Sequence, residues 1–253
     1  MQAEVQRAVE DYLNGVALSL QSLTSGKLIG LYLHGSAVQE DFDPERSDID
    51  ILGVLSDPLS PAQRDAIGTD LSFENRHVPA FGLELVLCTA QALDHPQLNC
   101  TYDFALSTGA YWGNEVEAEG TTSDILIWAT LCRQDGVALV GKAAKIAFGP
   151  IPSALLRKAL IAELEWHENN LNDGVTMFWD SNAVLNAARS VYAAKTSFIL
   201  SKKQGGEWWL KSHPSETIVV DALARRNRKA KEPIERQAVQ AFLQKAKAQI
   251  ETM

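Results

Sequence analysis

The 253-residue chain is 46% hydrophobic and 22% charged, the composition of a folded globular protein that can bury one large core or two smaller ones. Its formal net charge of −9 argues against a general nucleic-acid binder, whose affinity depends on basic residues, and suits a cationic ligand better. No apolar run is long enough to cross a bilayer, and the first residues lack the basic-then-apolar pattern of a signal peptide. Three widely spaced cysteines without a CxxC pattern favour reduced thiols. We therefore expect a cytoplasmic protein that binds neither nucleic acid nor membrane.

Apolar periodicity and capping signals predict mixed α/β structure in the first half of the chain. In chain order, we predict a helix over 4–23, strands over 28–33 and 49–55, a helix over 60–74 and a third strand over 81–89. Ser60 and Pro61 supply the N-cap and the first-position proline of the second helix. A short helix capped by Thr89, a helix over 123–136 and a strand at "VALVG" follow.

Beyond "FGPIPS" at 148–153, where two prolines interrupt the pattern, only helices are predicted. They span 153–172, with Ser153 as the N-cap, then 179–202, 214–226 and 232–251, and "GGEWW" at 205–209 is interpreted as a turn with an aromatic anchor. We therefore expect an α/β (α+β) domain with a small mixed sheet over 1–149, followed by an all-helical domain over 150–253.

The stretch "LYLHGSAVQEDFDPERSDIDILGVL" places Gly-Ser after one predicted strand and Asp-Ile-Asp at the start of the next. Because side chains two residues apart share one face of a strand, Asp48 and Asp50 project together. Their carboxylates repel each other unless a cation lies between them, and hard oxygen ligands suit Mg²⁺, which commonly bridges to substrate phosphates. Gly35 lets backbone N–H groups approach an anion, and the Ser36 hydroxyl can donate to a phosphate oxygen. The pattern predicts a joint magnesium and phosphate site.

Glu84 is a third acid, in the predicted strand over 81–89, with Leu83 and Leu85 facing the opposite way. If this strand lies beside that of the aspartates, Glu84 can act as a base for an attacking hydroxyl, as a third metal ligand or as a structural acceptor. Phosphoryl and nucleotidyl transfer need a metal, an in-line geometry and such a base.

Gly-Ser, eleven intervening residues and Asp-Ile-Asp before an apolar strand resemble the signature of the nucleotidyltransferase superfamily with the DNA polymerase β-like fold. A longer likeness is to the streptomycin/spectinomycin (3''/9-type) adenylyltransferases and their uncharacterised relatives. It is carried by "LYLHGSAV", "SDIDIL", "LELVL", "VALVG" and "AVLNAARSVYAAKTSFILSKKQGGEWWL". This resemblance implies Mg²⁺-dependent transfer of AMP from ATP to a hydroxyl of an aminoglycoside or aminocyclitol antibiotic, with release of pyrophosphate.

For the nucleotide, the resemblance implies that Ser36, Asp48 and Asp50 hold ATP and Mg²⁺ and that Glu84 takes the proton from the acceptor. It also implies that Arg189 and Lys202 bind the triphosphate, whereas from the residues alone both could lie on a solvated helix face. Thirteen residues of straight helix would separate them by about 20 Å. Both therefore reach one triphosphate only if it lies along the helix, or if the helix bends or ends before Lys202.

For the acceptor, the resemblance implies an aromatic platform at Trp112 and a contact at Asn182. The acidic contact of the family just before the position of Asn182 is displaced, which leaves Asp173 and Asp180 as candidates. The tyrosine of the family near the nucleotide is absent from "ALARRNRK".

Two other functions stay open. The acceptor could be a lincosamide, another metabolite or a protein hydroxyl, since the acceptor contacts fall in the least similar parts of the chain. A non-catalytic nucleotide-binding or antitoxin-like module is disfavoured by the presence of all three acids. We expect a monomer or weak oligomer that binds a small cationic acceptor.

Overall fold

The computed structural model describes residues 3–111, 113–171, 179–229 and 232–253. The chain divides into two compact units, Met1–Ile151 and Pro152–Met253. The predicted domain boundary after residue 149 lies two residues before this division.

The first unit combines helices and strands in the predicted order, with additional short strands between residues 100 and 122. Its elements are α1 (Ala3–Leu23), β1 (Leu28–His34), a 3₁₀ turn (Gly35–Ala37), β2 (Asp48–Leu55), α2 (Pro61–Asp70), β3 (Gly82–Thr89), α3 (Ala90–Asp94), β4 (Cys100–Tyr102), β5 (Phe104–Gly109), β6 (Gly113–Glu117), β7 (Gly120–Thr122), α4 (Asp124–Asp135), β8 (Val137–Val140) and α5 (Ala144–Ala147).

Six of these strands form one mixed sheet in the order β6-β5-β3-β2-β1-β8. Strands β2 and β3 are parallel, and the other neighbours in this sheet are antiparallel. Strands β4 and β7 form a separate antiparallel pair. The predicted fold class, a small mixed sheet followed by helices, is confirmed.

One face of the sheet carries the main apolar core of the first unit. Alternate residues of the central strands are buried there together with apolar residues of α1 and α2: Val16, Leu20, Leu31, Leu33, Ile49, Ile51, Ile67, Leu83, Leu85 and Leu106. Helix α4 contacts β1 and β2, and its Trp128 ring stacks on His34 at 6.3 Å between ring centroids. The polar residues of the strands described below share the face of His34.

Helix α2 begins as predicted and ends earlier. Ser60 and Gln63 form a reciprocal capping box, with Pro61 at the first helical position. The helix ends at Asp70 rather than near residue 74, and the Asn75 side chain donates to the Thr69 carbonyl at 2.8 Å. This hydrogen bond satisfies a carbonyl that the helix leaves without an intrahelical partner.

The second unit is helical, with α6 (Ser153–Asn169), α7 (Trp179–Thr196), α8 (Lys202–Ser212), α9 (Thr217–Arg226) and α10 (Arg236–Glu251). Nowhere in the described ranges of the chain does a helix have the length and apolar character required to span a membrane.

Three predictions in this unit are wrong. Residues 179–202 are not one helix, because α7 ends at Thr196 and Ser197 adopts a left-handed φ of 57°. "GGEWW" is not a turn but lies inside α8, which starts with a capping box formed by Ser201 and Gln204. Ser153 is the first helical residue rather than the N-cap, which is Pro152.

The two glycines of α8 permit close packing of α8 against its neighbours. A Cβ at Gly205 would lie 2.5 Å from the Cβ and 2.8 Å from the Cα of Arg189. A Cβ at Gly206 would meet the ends of two leucine side chains, Leu185 at 2.8 Å and Leu223 at 3.1 Å. At Gly205, glycine is therefore required because the Arg189 backbone of α7 leaves no room for a side chain, and not because the chain turns.

Candidate active site

Three predicted carboxylates lie on one face of the sheet. Asp50 of β2 is the register partner of Glu84 in β3, and Asp48 is the partner of Gly82. Register partners project to the same face, and neighbouring strands are about 4.8 Å apart, so Asp50 and Glu84 are adjacent. The aspartates are half-buried and Glu84 is exposed. The strand of Glu84 thus lies beside the strand of the aspartates, the condition under which the three acids can work together.

Asp50 and Glu84 belong to a longer polar row across the sheet. His34 of β1 is the register partner of Asp50, Ser107 of β5 is the partner of Glu84, and Glu115 of β6 is the partner of Ser107. Sequence reasoning missed Ser107 and Glu115, because no strand was predicted in this region. Strand β6 is exposed along its whole length and shows no apolar alternation that could have revealed it.

Gly35 and Ser36 lie in the 3₁₀ turn directly after β1. Gly35 has a left-handed φ of 69°, and a Cβ at this position would overlap the Oδ2 atom of Asp50. The Asp50 carboxylate therefore lies against the Gly35 backbone, so glycine is required both by the backbone angle and by this approach. Ser36, half-buried, follows at once.

The donors at this site fit magnesium. Two aspartates on one face, with Ser36 in the turn that follows β1, provide hard oxygen ligands, and Mg²⁺ usually takes one or two protein carboxylates and completes its shell with water and phosphate. Within the described part of the chain, no three or more His, Cys, Asp or Glu side chains are gathered into a metal-binding group. The donor set fits a metal shared with a phosphate, with Asp48 and Asp50 as ligands, and Glu84 stays a predicted third ligand beside Asp50.

His34 completes the row beside Asp50 as an uncharged side chain. It is 4% exposed, and burial lowers its pKa to about 3. At neutral pH its imidazole is therefore neutral and packs against Trp128.

In the helical unit, a polar layer joins α6 and α7. It consists of Glu163, His167, Asn186, Arg189 and Ser190. The Asn186 amide donates to His167 Nε2 at 2.8 Å, and Ser190 Oγ donates to Glu163 Oε2 at 3.5 Å. Arg189 Nη2 lies 3.7 Å from Glu163 Oε1. Because Nε2 accepts from the amide, the proton of the neutral imidazole is on Nδ1.

Arg189 and Lys202 both influence His167 although they belong to different helices. Burial is the main cause that lowers the pKa of His167 to about 3, and the positive charges of Lys202 and then Arg189 lower it further. Both cations therefore act on one imidazole. The break after Thr196 makes this possible, because Lys202 starts a helix that packs back on the Arg189 turn through Gly205. Of the arrangements considered from the sequence, the helix that ends before Lys202 is the one observed.

Of the four residues predicted to contact the acceptor, two lie on α7 and two lie outside the described residues. Asn182 is half-buried on α7. The Asp180 carboxylate accepts from the Ile234 N–H at 2.7 Å and pairs with Arg225 Nε at 3.2 Å, so it ties α7 to the segment before α10. Trp112 and Asp173 lie outside the described residues.

Comparison with known proteins identifies relatives along most of the chain. Residues 147–250 match the family model of the aminoglycoside adenylyltransferase C-terminal domain. The aminoglycoside (3'') (9) adenylyltransferases of Klebsiella pneumoniae and Escherichia coli are each 28% identical to this chain over 233 residues, which cover 85% of this chain and 84% and 83% of theirs.

A solved structure shares the fold. Spectinomycin adenyltransferase AAD(9) from Enterococcus faecialis, determined with ATP and spectinomycin, superposes with a TM-score of 0.75 at 20% identity, over 96% of this chain and 99% of that chain. The mixed sheet with its carboxylate row, followed by helices, has the arrangement predicted for a nucleotidyltransferase. Within that class, the chain is similar to the aminoglycoside adenylyltransferases, as its motifs predicted, and residues 147–250 match the C-terminal domain of that family.

Proposed function

We propose that this protein transfers AMP from ATP to a hydroxyl of an aminoglycoside or aminocyclitol of the streptomycin or spectinomycin type, and releases pyrophosphate. The observation that carries the proposal is the register pairing of Asp50 with Glu84, beside Asp48 and against Gly35. This pairing supplies metal ligands and a base on one face of one sheet. Residues 1–149 act in this proposal as the nucleotidyltransferase domain and residues 150–253 as the helical adenylyltransferase domain.

On the nucleotide side, Asp48 and Asp50 would hold a Mg²⁺ ion, which when bound neutralises charge on the phosphates. Ser36 donates a hydrogen bond to a phosphate oxygen. Arg189 and Lys202 bind the triphosphate, because guanidinium and ammonium groups pair with phosphate oxygens and Arg can do so with two parallel hydrogen bonds.

In the chemical step, the acceptor hydroxyl oxygen attacks the α-phosphorus of ATP in line with the leaving group. The bond from the α-phosphorus to the bridging oxygen breaks, and pyrophosphate leaves with the electron pair. Glu84 takes the hydroxyl proton on a carboxylate oxygen as general base. Its exposed position next to Asp50 leaves it accessible to an incoming hydroxyl.

A cationic acceptor is supported by the net charge of −9 and by the names of the relatives, which refer to aminoglycosides and spectinomycin. Ammonium and guanidinium groups of such acceptors pair with carboxylates. Asn182 is the described candidate for an acceptor contact, and Trp112 and Asp173 stay candidates on the resemblance alone. Asp180 is not retained in this role, because Arg225 and the Ile234 N–H already bind its carboxylate.

The test is pyrophosphate release from ATP and Mg²⁺ by the purified protein, without acceptor and with streptomycin, spectinomycin and other aminoglycosides. The Asp48→Asn/Asp50→Asn double variant serves as the blank. We expect release that depends on one or more of these acceptors and that is absent in the blank. Binding of ATP without acceptor-dependent release across the panel would contradict the proposed acceptor class.

A further inference from the structure

Glu163 is an acid of the helical unit whose side chain is largely buried, and the proposed reaction does not use it. It lies on α6, one turn before His167, and its carboxylate is 3.7 Å from the Arg189 guanidinium. Arg189 is one of the two cations assigned to the triphosphate. The Arg189 guanidinium thus pairs with the Glu163 carboxylate in the structure and with the triphosphate of ATP in the proposed function.

The geometry of the contact between Glu163 and Arg189 allows a triphosphate to replace the carboxylate as the partner of Arg189. A distance of 3.7 Å is longer than an ordinary N–H···O hydrogen bond, so this contact is an ion pair rather than a tight bidentate bridge. Ser190, the next residue on α7, donates to the other carboxylate oxygen at 3.5 Å. A triphosphate offers oxygens in the geometry that a guanidinium binds with two hydrogen bonds, and its charge is larger than that of a carboxylate.

Partial burial strengthens the effect of the Glu163 charge on the positive charge around it. The side chains of Arg189 and Glu163 are 13% and 16% exposed, so water screens their attraction less than at an open surface. Lys202 adds a second positive charge near His167, which stays neutral and is fixed by Asn186. The carboxylate of Glu163 therefore offsets positive charge that would otherwise favour an anionic ligand more strongly.

We propose that Glu163 is a positioning residue that holds Arg189 by an ion pair and yields it to the triphosphate of ATP. Glu163 then weakens the binding of ATP and of the pyrophosphate product, and lets pyrophosphate leave after transfer. This inference rests on the proposed function, in which Arg189 binds the triphosphate.

The experiment measures the dissociation constants of ATP and of inorganic triphosphate with Mg²⁺ by calorimetry on the full chain. Glu163→Gln removes the charge and keeps the shape of the side chain, so we expect binding of both probes to tighten about 3- to 10-fold. Pyrophosphate should become a correspondingly stronger inhibitor. In the Arg189→Ala background, the same change at Glu163 should have no effect, since the guanidinium is gone.

Glu165→Gln is the matched control. Glu165 lies on the same helix, is 51% exposed and pairs with Lys247 at 3.3 Å, away from the polar layer. It should leave both dissociation constants unchanged. If thermal unfolding shows that Glu163→Gln does not fold, Glu163→Asp replaces it, and a shorter carboxylate that holds Arg189 less closely should also tighten binding.

The outcomes separate this inference from the proposed function. Weaker or unchanged ATP binding in Glu163→Gln, while Arg189→Ala loses ATP affinity, would overturn the role of Glu163 and leave the proposed function intact. Failure of the wild-type protein to bind ATP, or equal affinity in Arg189→Ala, would overturn the nucleotide role of Arg189 and this inference with it.

Discussion

At the scale of single residues, a substitution of Glu84 distinguishes an effect on the chemical step from an effect on ATP binding. Its side chain is exposed and lies beside Asp50 across two parallel strands. We expect Glu84→Gln to retain ATP binding and to lower kcat by about 10²- to 10⁴-fold, because the amide cannot take the proton of the acceptor hydroxyl. Acceptor-dependent pyrophosphate release and calorimetric ATP titration measure the two effects separately.

The control for this substitution is Glu10→Gln, an exposed acid of α1. It should change neither quantity. Turnover that survives in Glu84→Gln would remove Glu84 from the role of base and leave it as a structural acceptor.

Gly35 allows a test of the close approach to Asp50. Gly35→Ala combines a left-handed φ of 69° with a Cβ that overlaps the Asp50 carboxylate, whereas Gly26→Ala has a φ of 83° and open space. Both should lose about 1 kcal/mol of unfolding free energy from the backbone angle. Only Gly35→Ala should also lose activity, by about 10²-fold, because the carboxylate is displaced. Equal activity in the two variants, measured beside urea unfolding, would contradict this account of the turn.

At the scale of elements, the contact between α7 and α8 gives a paired test. Gly205→Ala places a Cβ against the backbone of Arg189, which cannot move aside, and should cost about 1–3 kcal/mol of unfolding free energy. Gly206→Ala meets only side-chain atoms of Leu185 and Leu223, and the gain in helix propensity of up to about 1 kcal/mol offsets their adjustment. Chemical denaturation of the two variants measures the difference. A larger loss of unfolding free energy in Gly206→Ala would show that the contact with the leucines, rather than that with the Arg189 backbone, limits the packing of α8.

The same contact shows where sequence reasoning at this scale fails. Elements with a clear apolar period, such as α1, β1 and β2, were predicted nearly to their ends, because each buries one face in the core. Glycine pairs usually mark turns, so "GGEWW" was assigned to one. The glycine at position 205 is required by the close approach of the Arg189 backbone in α7. Because α7 is distant from Gly205 in the sequence, the local pattern around Gly205 does not indicate this contact.

At the scale of the whole molecule, the buried His167 links stability to pH. Its pKa in the folded protein is about 3, below the value of about 6.5 in an unfolded chain. As the pH falls below about 6.5, the unfolded chain therefore binds a proton that the folded protein does not, and stability is lost down to about pH 3. His167→Gln keeps an acceptor for Asn186 but not this titration, so its loss of unfolding free energy between pH 7 and pH 5 should be smaller than that of the wild type by about 2 kcal/mol.

The control for the pH prediction is His95→Gln, since His95 is exposed. Urea unfolding at pH 7, 6 and 5 should give the same pH dependence for this variant as for the wild type. The contribution of the acidic residues is common to all three proteins and cancels in the comparison. An unchanged pH dependence in His167→Gln would show that the imidazole is not held neutral in the fold.

Seen over the whole chain, the sequence identified the residues of the candidate site better than their neighbours. Gly35, Asp48, Asp50 and Glu84 carry local signals of spacing and alternation, so they could be named in advance. That Asp50 and Glu84 are adjacent, and that Ser107 and Glu115 continue the row, depends on strand order and register between distant segments. Those are fixed by packing of the whole sheet, which no local pattern encodes.

The strand order also sets the sequence in which the site can assemble as the chain folds. Strands β1 and β2 are antiparallel neighbours joined by residues 35–47, so Gly35 and Asp50 meet at a separation of fifteen residues along the chain. Strand β3 is parallel to β2 and reaches it only through a crossover that includes α2, and such non-local pairing closes slowly. A folding intermediate in which only β1 and β2 are paired would therefore bring Gly35, Asp48 and Asp50 together before Glu84 joins them.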